Sequence, residues 1–250
     1  MTIPIFLSPA LPSELLSYIL DQHVYPTTLI ICSSQAEFLT SAVEDIQSQA
    51  RKTTPNTDQQ EESLEESLEG ETSHPPDPVE EDVDINHALL SSPLYQVATS
   101  RHIRVIYTPT VTHLRAYLSV FSPDESRVPT PPKSLSTRDH SKPNIILYGF
   151  LRLHRDTSEW SAQGLSNTAS TLVDLAHRLS WKTLLIEPRT GATFEELLRE
   201  AVPILNGGAR RLGPDPEEGA WTGRTVEVGR ILGRWSRFQR AQWDVSDSHD

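Results

Sequence analysis

Short apolar runs and segments with helical spacing follow one another along the chain. The runs have the length and continuity of strands that are buried on both faces of a parallel sheet. They are Ile3 to Leu7, Thr28 to Cys32, Ile103 to Tyr107, Asn144 to Leu151 and Thr183 to Ile186. This repeated order of strand and then helix predicts an α/β fold, in which a doubly wound, mostly parallel sheet carries helices on both faces.

Capping-box spacing marks the start of two of the predicted helices. Ser34 and Glu37 form one such pair, and Thr193 and Glu196 form the other. The expected helices cover about Pro12 to Gln22, Ser34 to residue 48 with Phe38, Ala42, Val43 and Ile46 facing inward, Ala88 to Ala98, Val111 to Phe121, Leu165 to Leu179, and Thr193 to Ile204. Residues 224–238 alternate in places and predict one or two strands.

Two polar segments interrupt this pattern, at residues 49–86 and 122–143. Residues 53–100 hold 12 of the 34 acidic residues and no Lys or Arg, so the other 22 acids balance the 22 basic residues and the net charge of -12 is local. Such compositions bury too little apolar surface to offset the entropy of ordering, which predicts disordered insertions. The ordered core is then expected to comprise residues 1–48, 87–121 and 144–243, followed by a disordered tail at 244–250.

Composition excludes several classes of site. The single cysteine, Cys32, lies in an apolar run and is expected to be a buried thiol, so no intramolecular disulfide or thiolate zinc site is predicted. No basic segment precedes the first apolar residues, and no run approaches the ~18 apolar residues of a membrane helix. We therefore expect an intracellular soluble protein with no membrane contact.

Chemistry in parallel sheets normally lies at the carboxyl ends of the strands, and these ends carry few reactive groups here. A phosphate-binding loop needs glycines and a lysine, and residues 8–13 contain neither. Tyr148 ends one strand, and Glu187 is the one acid at a strand end. We predict no catalytic residue, cofactor or metal site, and no binding of ATP.

Two short motifs resemble catalytic signatures only in part. His154-Arg155-Asp156 matches a kinase triplet, but Ser161 stands where that motif requires Asn. Residues 164–168 match a nucleophile elbow except for the closing glycine, and Ser166 is better explained as a helix N-cap. Both matches are interpreted as chance.

The C-terminal region has an excess of arginine with aromatic residues between. Between residues 223 and 243, five arginines oppose the single acid Glu227. The arginines are Arg224, Arg230, Arg234, Arg237 and Arg240, and the aromatic residues are Trp235, Phe238 and Trp243. Nucleic-acid contact, a protein interface and a terminal strand with outward arginines all fit this pattern.

One stretch resembles the core of RecA-fold recombinases and their paralogues. In that family an apolar strand ending in an acid is followed by a turn, a polar loop, a long helix and another strand. The resemblance is carried by Leu153-His154-Arg155, the loop to Gly164, Leu165-Ser166, Leu172, Leu175-Ala176 and Leu184-Leu185-Ile186. Two departures accompany it: residues 8–13 lack the family's glycines and lysine, and its metal-binding acid falls on or near Tyr148.

The resemblance implies a non-catalytic RecA-like paralogue that assembles with other RecA-like paralogues or a recombinase, and contacts DNA. A subunit of a Shu-type recombination-mediator complex, located in the nucleus, is the first hypothesis. A RecA-like subunit of an Elongator-type complex, which binds tRNA, is the second, and an α/β enzyme using Glu187 and His154 is the third. The expected partner or nucleic-acid contacts are Arg155, Arg189, Arg210, Arg211, Arg230, Arg234, Trp235 and Arg237.

Overall fold

The computed structural model describes residues 3–22, 24–53, 89, 94–125, 128–129, 142–205 and 224–244. Most of the two predicted insertions, and the tail from residue 245, lie outside these ranges. The described ranges contain eight strands: β1 Ile5–Ala10, β2 Thr27–Ile31, β3 Ile103–Tyr107, β4 Asn144–Tyr148, β5 Lys182–Pro188, β6 Ala201–Pro203, β7 Thr225–Glu227 and β8 Arg237–Gln239.

Six of these strands form one parallel sheet, in the order β3-β2-β4-β5-β1-β8. The chain leads from β2 outward to β3 on one side and from β4 to β5 on the other, so the strand order reverses between the neighbouring strands β2 and β4. This arrangement confirms the predicted doubly wound α/β fold and is consistent with a RecA-like sheet. Strands β6 and β7 form a separate antiparallel pair.

Helices cover both faces of the sheet. They are α1 Pro12–Gln22, α2 Gln35–Thr53, α3 Leu94–Ser100, α4 Val111–Val120, α5 Phe150–His154, α6 Ala162–Leu179, α7 Phe194–Arg199 and α8 Val228–Leu232, with 3₁₀ turns at Pro123–Glu125 and Gln242–Asp244. Alternate residues of β4 enter opposite cores: Ile145 and Leu147 pack with α4, α6 and α8, and Ile146 and Tyr148 pack with α1 and α2. Each large side chain buried in this way contributes roughly 1.5–3 kcal/mol.

Both predicted capping boxes are confirmed. The Ser34 N–H donates to Glu37 Oε2 (2.9 Å), and the Glu37 N–H donates to Ser34 Oγ (3.2 Å). Thr193 and Glu196 make the same reciprocal bonds, at 2.8 and 3.2 Å. Local hydrogen bonding therefore sets the start of α2 and α7.

Several predicted boundaries are wrong. β4 ends at Tyr148 because Gly149 adopts φ 89°, and Phe150 and Leu151 belong to α5 instead of the strand. Helix α2 extends past residue 48 to Thr53, and its Val43 is 52% exposed where an inward position was predicted. The predicted helix at 88–98 is α3, at 94–100.

The C-terminal predictions also need correction. Helix α7 ends at Arg199, and residues 201–203 form β6, because Pro203 disfavours a helical conformation in the residue before it. Residues 228–232 form α8, where a strand was expected. Val228, Ile231 and Leu232 are all buried, and their i, i+3, i+4 spacing is that of a helix face.

Helix α6 begins earlier than predicted, and Ser161, not Ser166, is its N-cap. The Ser161 hydroxyl accepts from the Gly164 N–H at 3.0 Å. Gly164 lies so close to the backbone of Glu159 that a side-chain methyl group would overlap the Glu159 carbonyl group. The first turn of α6 can therefore pack against Glu159 only because residue 164 is a glycine.

Replacing Gly164 with alanine tests this close approach. Helix propensity alone would make Gly164→Ala stabilising by about 1 kcal/mol. Because the methyl group overlaps the Glu159 backbone, we expect the free energy of unfolding to fall by about 1–3 kcal/mol instead. Urea unfolding measures the change. Asn167→Ala, on the exposed side of the same helix, is the control and should change it by less than about 0.5 kcal/mol. Equal or higher stability of Gly164→Ala would contradict the contact.

Candidate functional site

The carboxyl ends of four central strands meet at one edge of the sheet and bond to one another. The Cys32 N–H donates to the Tyr148 carbonyl at 2.8 Å, and the Gly149 N–H donates to the Ile186 carbonyl at 2.9 Å. The Tyr148 hydroxyl donates to the Ala10 carbonyl at 2.9 Å. α/β proteins usually bind ligands at these strand ends. Here the polar groups named above are hydrogen-bonded to one another within the chain.

The first turn of α1 is occupied by two carboxylates of the chain. Only Leu11 separates β1 from α1, and its N–H donates to Glu14 Oε2 at 2.8 Å. The Ser13 N–H donates to Asp45 Oδ2, also at 2.8 Å. The free N–H groups of a helix N-terminus are the donors that would bind a phosphate. Here two of these donors already bind anionic side chains from α1 and α2.

Polar side chains hold these carboxylates in position. Gln49 donates to Asp45 Oδ1 at 2.9 Å and to the Ser13 hydroxyl at 2.8 Å. Arg189, at the end of β5, forms an ion pair of 3.1 Å with Glu14. Burial raises the pKa of Glu14, and the bond from Leu11 and the charge of Arg189 oppose that rise.

Tyr148 fills the position where the RecA-like resemblance expects a metal-binding acid. It is 4% exposed, and its ring meets Phe38 edge to face at 5.9 Å between ring centroids. Burial, together with the charge of Glu187, raises the pKa of its hydroxyl. A neutral phenol has one oxygen and no negative charge, and here its hydroxyl already donates to the Ala10 carbonyl. It therefore cannot replace the two charged oxygens of a carboxylate.

The C-terminal residues cover the end of β1. The Trp243 indole N–H lies 3.3 Å from the Ser8 carbonyl and 3.0 Å from the Pro9 carbonyl, and its ring contacts Tyr18 edge to face. The Ala241 N–H donates to the Ser8 hydroxyl at 3.0 Å. Sequence reasoning missed these contacts because more than 230 residues separate the partners along the chain.

Glu187 is buried and joins β5 to α5. It is 3% exposed, and its two carboxylate oxygens accept the N–H groups of Leu151 (2.7 Å) and Arg152 (3.2 Å). Burial raises the pKa of Glu187 to about 7, although both hydrogen bonds and the charge of Arg155 act in the opposite direction. The carboxylate therefore caps the α5 N-terminus and remains close to its titration point at neutral pH.

Cys32 is a buried thiol, as predicted. Burial raises the pKa of this thiol, and the negative charge of Glu187 raises it further. A raised pKa keeps the sulfur in the thiol form, which is a poor nucleophile and metal ligand.

His154 is completely buried between α5 and α6. Its Nδ1 lies 2.8 Å from the Phe150 carbonyl, and its Nε2 lies 2.9 Å from the Thr168 hydroxyl. Arg115 donates through Nε to the same hydroxyl at 2.8 Å, and pairs with Glu159 at 2.6 Å. Burial lowers the pKa of His154. In the neutral form Nδ1 donates to Phe150, so the other nitrogen accepts from Thr168.

The loop from His154 to Gly164, which carries part of the RecA-like resemblance, is only partly exposed. His154, Ser161 and Gly164 are buried, whereas residues 156–158 face solvent. Burial of the two ends follows from the His154 bonds and from the Ser161 cap, neither of which has a marked sequence signal.

The predicted contact residues occupy different environments. Arg155 pairs with Glu200 and lies 5.5 Å from the Trp160 ring, and Arg189 pairs with Glu14. Trp235 packs partly buried against the core. Arg210 and Arg211 lie outside the described residues. The remaining three, Arg230, Arg234 and Arg237, are exposed and pair with no carboxylate in the described ranges.

An open groove of about 400 Å³ lies beside α7. Arg155 and Arg199 line it together with Glu196 and Glu200, so both charge signs are present. Because Arg155 is already paired with Glu200 and Glu196 belongs to the capping box, the groove does not present a uniform charge to a ligand.

Two kinds of feature are absent from the described ranges. No group of three or more His, Cys, Asp or Glu side chains there is arranged to hold a metal ion. No helix in that part of the chain has both the length and the apolar character needed to cross a membrane.

Comparison with known proteins adds no relative. No model of a protein family matches the chain, and no curated protein matches it. The fold and the geometry of the strand ends are therefore the basis for any proposal about function.

The raised pKa of Glu187 predicts a pH dependence of stability. Below pH 4.5 the carboxyl group is protonated in both states; between pH 4.5 and about 7 the unfolded chain releases the proton and the folded chain retains it. The free energy of unfolding should therefore fall as pH rises through this window, by up to about 3 kcal/mol from this group.

Glu187→Gln should remove this contribution. Denaturant unfolding at several pH values gives the free energy of unfolding as a function of pH. Between pH 4.5 and about 7 we expect this free energy to change less with pH in Glu187→Gln than in the parent protein. The altered cap of α5 changes the free energy by a constant amount and leaves the slope unaffected. Glu44→Gln, an exposed position on α2, should keep the slope of the parent protein. An unchanged slope in Glu187→Gln would show that another group titrates in this window.

Proposed function

We propose that this protein is a non-catalytic RecA-like subunit of a homologous-recombination mediator complex, which assists recombinase filaments on DNA. The observation that carries the proposal is the occupation of the α1 N-terminus by Glu14 and Asp45. In a doubly wound sheet this is the position at which a phosphate would bind.

Phosphoryl transfer depends on positioning and charge stabilisation. It uses backbone N–H groups and a lysine around the phosphates, and a metal ion held by an acid. Where the phosphates would lie, this chain has the carboxylates of Glu14 and Asp45, which repel a phosphate. In place of the metal-binding acid it has Tyr148, whose hydroxyl donates a hydrogen bond to the Ala10 carbonyl. These substitutions support a role based on assembly instead of nucleotide hydrolysis.

The unpaired arginines support contact with nucleic acid in such a complex. Arg230, Arg234 and Arg237 are exposed and form no ion pair with another described residue, so their guanidinium groups can contact phosphates. A subunit that assists a recombinase on chromosomal DNA would act in the nucleus.

The same arginines support a second candidate, a RecA-like subunit of an Elongator-type complex. Guanidinium groups bind phosphates of tRNA as well as those of DNA, because the contact is to the backbone. The identity of the partner proteins distinguishes these two functions.

The first test concerns nucleotide. Glu14 and Asp45 occupy the N–H donors that would bind a phosphate. We therefore expect the isolated chain to show no saturable binding of Mg-ATP in calorimetric titration up to about 1 mM. This limit corresponds to a binding free energy weaker than about 4 kcal/mol. An active RecA-type recombinase titrated in parallel is the positive control. Micromolar or tighter affinity of this chain would contradict the proposed occlusion of the α1 N-terminus.

The second test concerns partners. The tagged full chain, purified from its native cells, is expected to recover a recombinase or RecA-like recombinase paralogues, identified by mass spectrometry. An untagged strain provides the background. Recovery of Elongator subunits without recombination proteins would instead support the second candidate, and recovery of proteins without a RecA-like fold would contradict both.

A further inference from the structure

The groove beside α7 lies at the carboxyl ends of two central strands. Thr190 and Ala192, which line it, come within four residues of the end of β5. Arg155, which also lines it, is the C-cap of α5, and only Gly149 separates α5 from β4. Ligands of α/β proteins bind on this side of the sheet. The groove volume of about 400 Å³ is within the ~300–1,000 Å³ of small-molecule sites.

The lining of this groove carries charges of both signs in equal number. Arg155 and Arg199 are the cations, and Glu196 and Glu200 are the carboxylates. A ligand with a single charge would be attracted by one of these pairs and repelled by the other. A small molecule that carries both a positive and a negative group is the ligand that such a lining complements.

Both cations of the groove have N–H donors without an acceptor. Arg199 is exposed and forms no ion pair with another described residue. Arg155 pairs with Glu200 through one terminal nitrogen, its Nε lacks a partner among the described residues, and its side chain is 37% exposed. A guanidinium group presents several N–H donors in a planar fork that matches a carboxylate. Each arginine can therefore donate to a carboxylate that enters the groove.

Both carboxylates have an oxygen that is equally available. Glu196 uses Oε2 to accept the Thr193 N–H in the capping box, and Glu200 uses Oε2 to accept from Arg155. The Oε1 atoms of Glu196 and Glu200 take part in no hydrogen bond with the described part of the chain. Because an ionised carboxylate accepts hydrogen bonds on both oxygens, these atoms can accept from an ammonium group.

Two apolar side chains complete the lining. Leu197 is 8% exposed, so it contributes to the base of the groove, and Ala192 is exposed. An aliphatic ligand body that covers them removes apolar surface from water. The lining therefore suits a ligand with two opposite charges and a short hydrocarbon part.

We propose that this groove binds a small aliphatic zwitterion, of the class of free amino acids. The ligand carboxylate contacts Arg199 and Arg155, and the ligand ammonium group contacts the Oε1 atoms of Glu196 and Glu200. Because most of these charges are open to water and salt, the affinity is modest. The inference goes beyond the proposed function and is independent of it, since the groove includes no residue of the α1 N-terminus.

Calorimetric titration of the full chain with amino acids tests the groove. Glycine, L-valine, L-leucine and γ-aminobutyrate are the probes, and they differ in aliphatic size and in the separation of their charges. At low ionic strength we expect at least one to bind saturably, with a Kd of about 1 mM or tighter. Its N-acetyl derivative lacks the ammonium group and its amide lacks the carboxylate. Each should bind at least about tenfold more weakly, because one pair of groove charges is then left without a partner.

Three variants that replace a charged group with an amide locate the bound probe. Arg199→Gln and Glu196→Gln each remove one charge from the groove, and glutamine at position 196 retains an oxygen that can cap α7. Arg178→Gln, at an exposed position of α6, is the matched control. We expect each groove variant to weaken the tightest probe by about tenfold or more, and the control to bind it as the parent does. Thermal melting checks that the variants fold; if one groove variant does not, the other decides.

Each outcome supports or overturns the groove. Loss of binding in the groove variants, with retention in Arg178→Gln, supports it. Absence of saturable binding by every probe overturns it, and so does equal affinity for the N-acetyl derivative, which would show a site for simple anions. Unchanged affinity in the groove variants, or an equal loss in Arg178→Gln, also overturns it. None of these results bears on the proposed function, which the nucleotide titration and the recovery of partners decide separately.

Discussion

Burial of the parallel sheet on both faces is the constraint on which the rest of the structure depends. With α1 and α2 on one face and α4, α6 and α8 on the other, the polar groups at the strand ends lose much of their access to water. Buried polar groups must then find partners within the chain. The bonds from Tyr148 to Ala10, from Ser13 to Asp45 and from Leu151 to Glu187 meet this requirement.

This internal pairing also determines the chemistry of the sheet edge. The donors at the α1 N-terminus would attract a phosphate in an active enzyme of this architecture, and here they bind carboxylates from α1 and α2. Glu187 serves as a cap for α5 at the cost of a raised pKa, and burial, with the Glu187 charge as a smaller cause, raises the pKa of the Cys32 thiol. Groups that resemble reactive residues in the sequence therefore act as structural ones in the fold.

Because polar groups at the strand ends are hydrogen-bonded within the chain, contacts with other molecules are expected on the outer surfaces. The two sheet edges differ: β8 has three residues and packs through Phe238, whereas β3 has five residues and, within the described ranges, no strand on its outer side. Three exposed arginines that have no ion pair within the described residues, Arg230, Arg234 and Arg237, lie in the segment from α8 to β8, and β8 forms the sheet edge opposite β3.

The sequence alone determined the fold class and the starts of α2 and α7, because these depend on local patterns. Continuous apolar runs predicted the five long strands, and the Ser34 and Thr193 capping boxes form as expected. The absence of glycine and lysine from residues 8–13 was also visible directly. Local signals failed where two patterns overlapped, as at residues 226–232: Val226 and Val228 alternate as in a strand, whereas Val228, Ile231 and Leu232 have the i, i+3, i+4 spacing of a helix.

Only the tertiary structure decided the roles of the polar residues, since their partners are distant in sequence. Nothing near Asp45 indicates that it binds the Ser13 N–H, and nothing near Glu187 indicates that it caps α5. The direction of Val43 was likewise undecided, because helical spacing predicts a face without indicating how wide the covered stripe is. Long-range packing sets both the partners of these polar residues and the exposure of Val43. Neighbouring residues in the sequence do not indicate it.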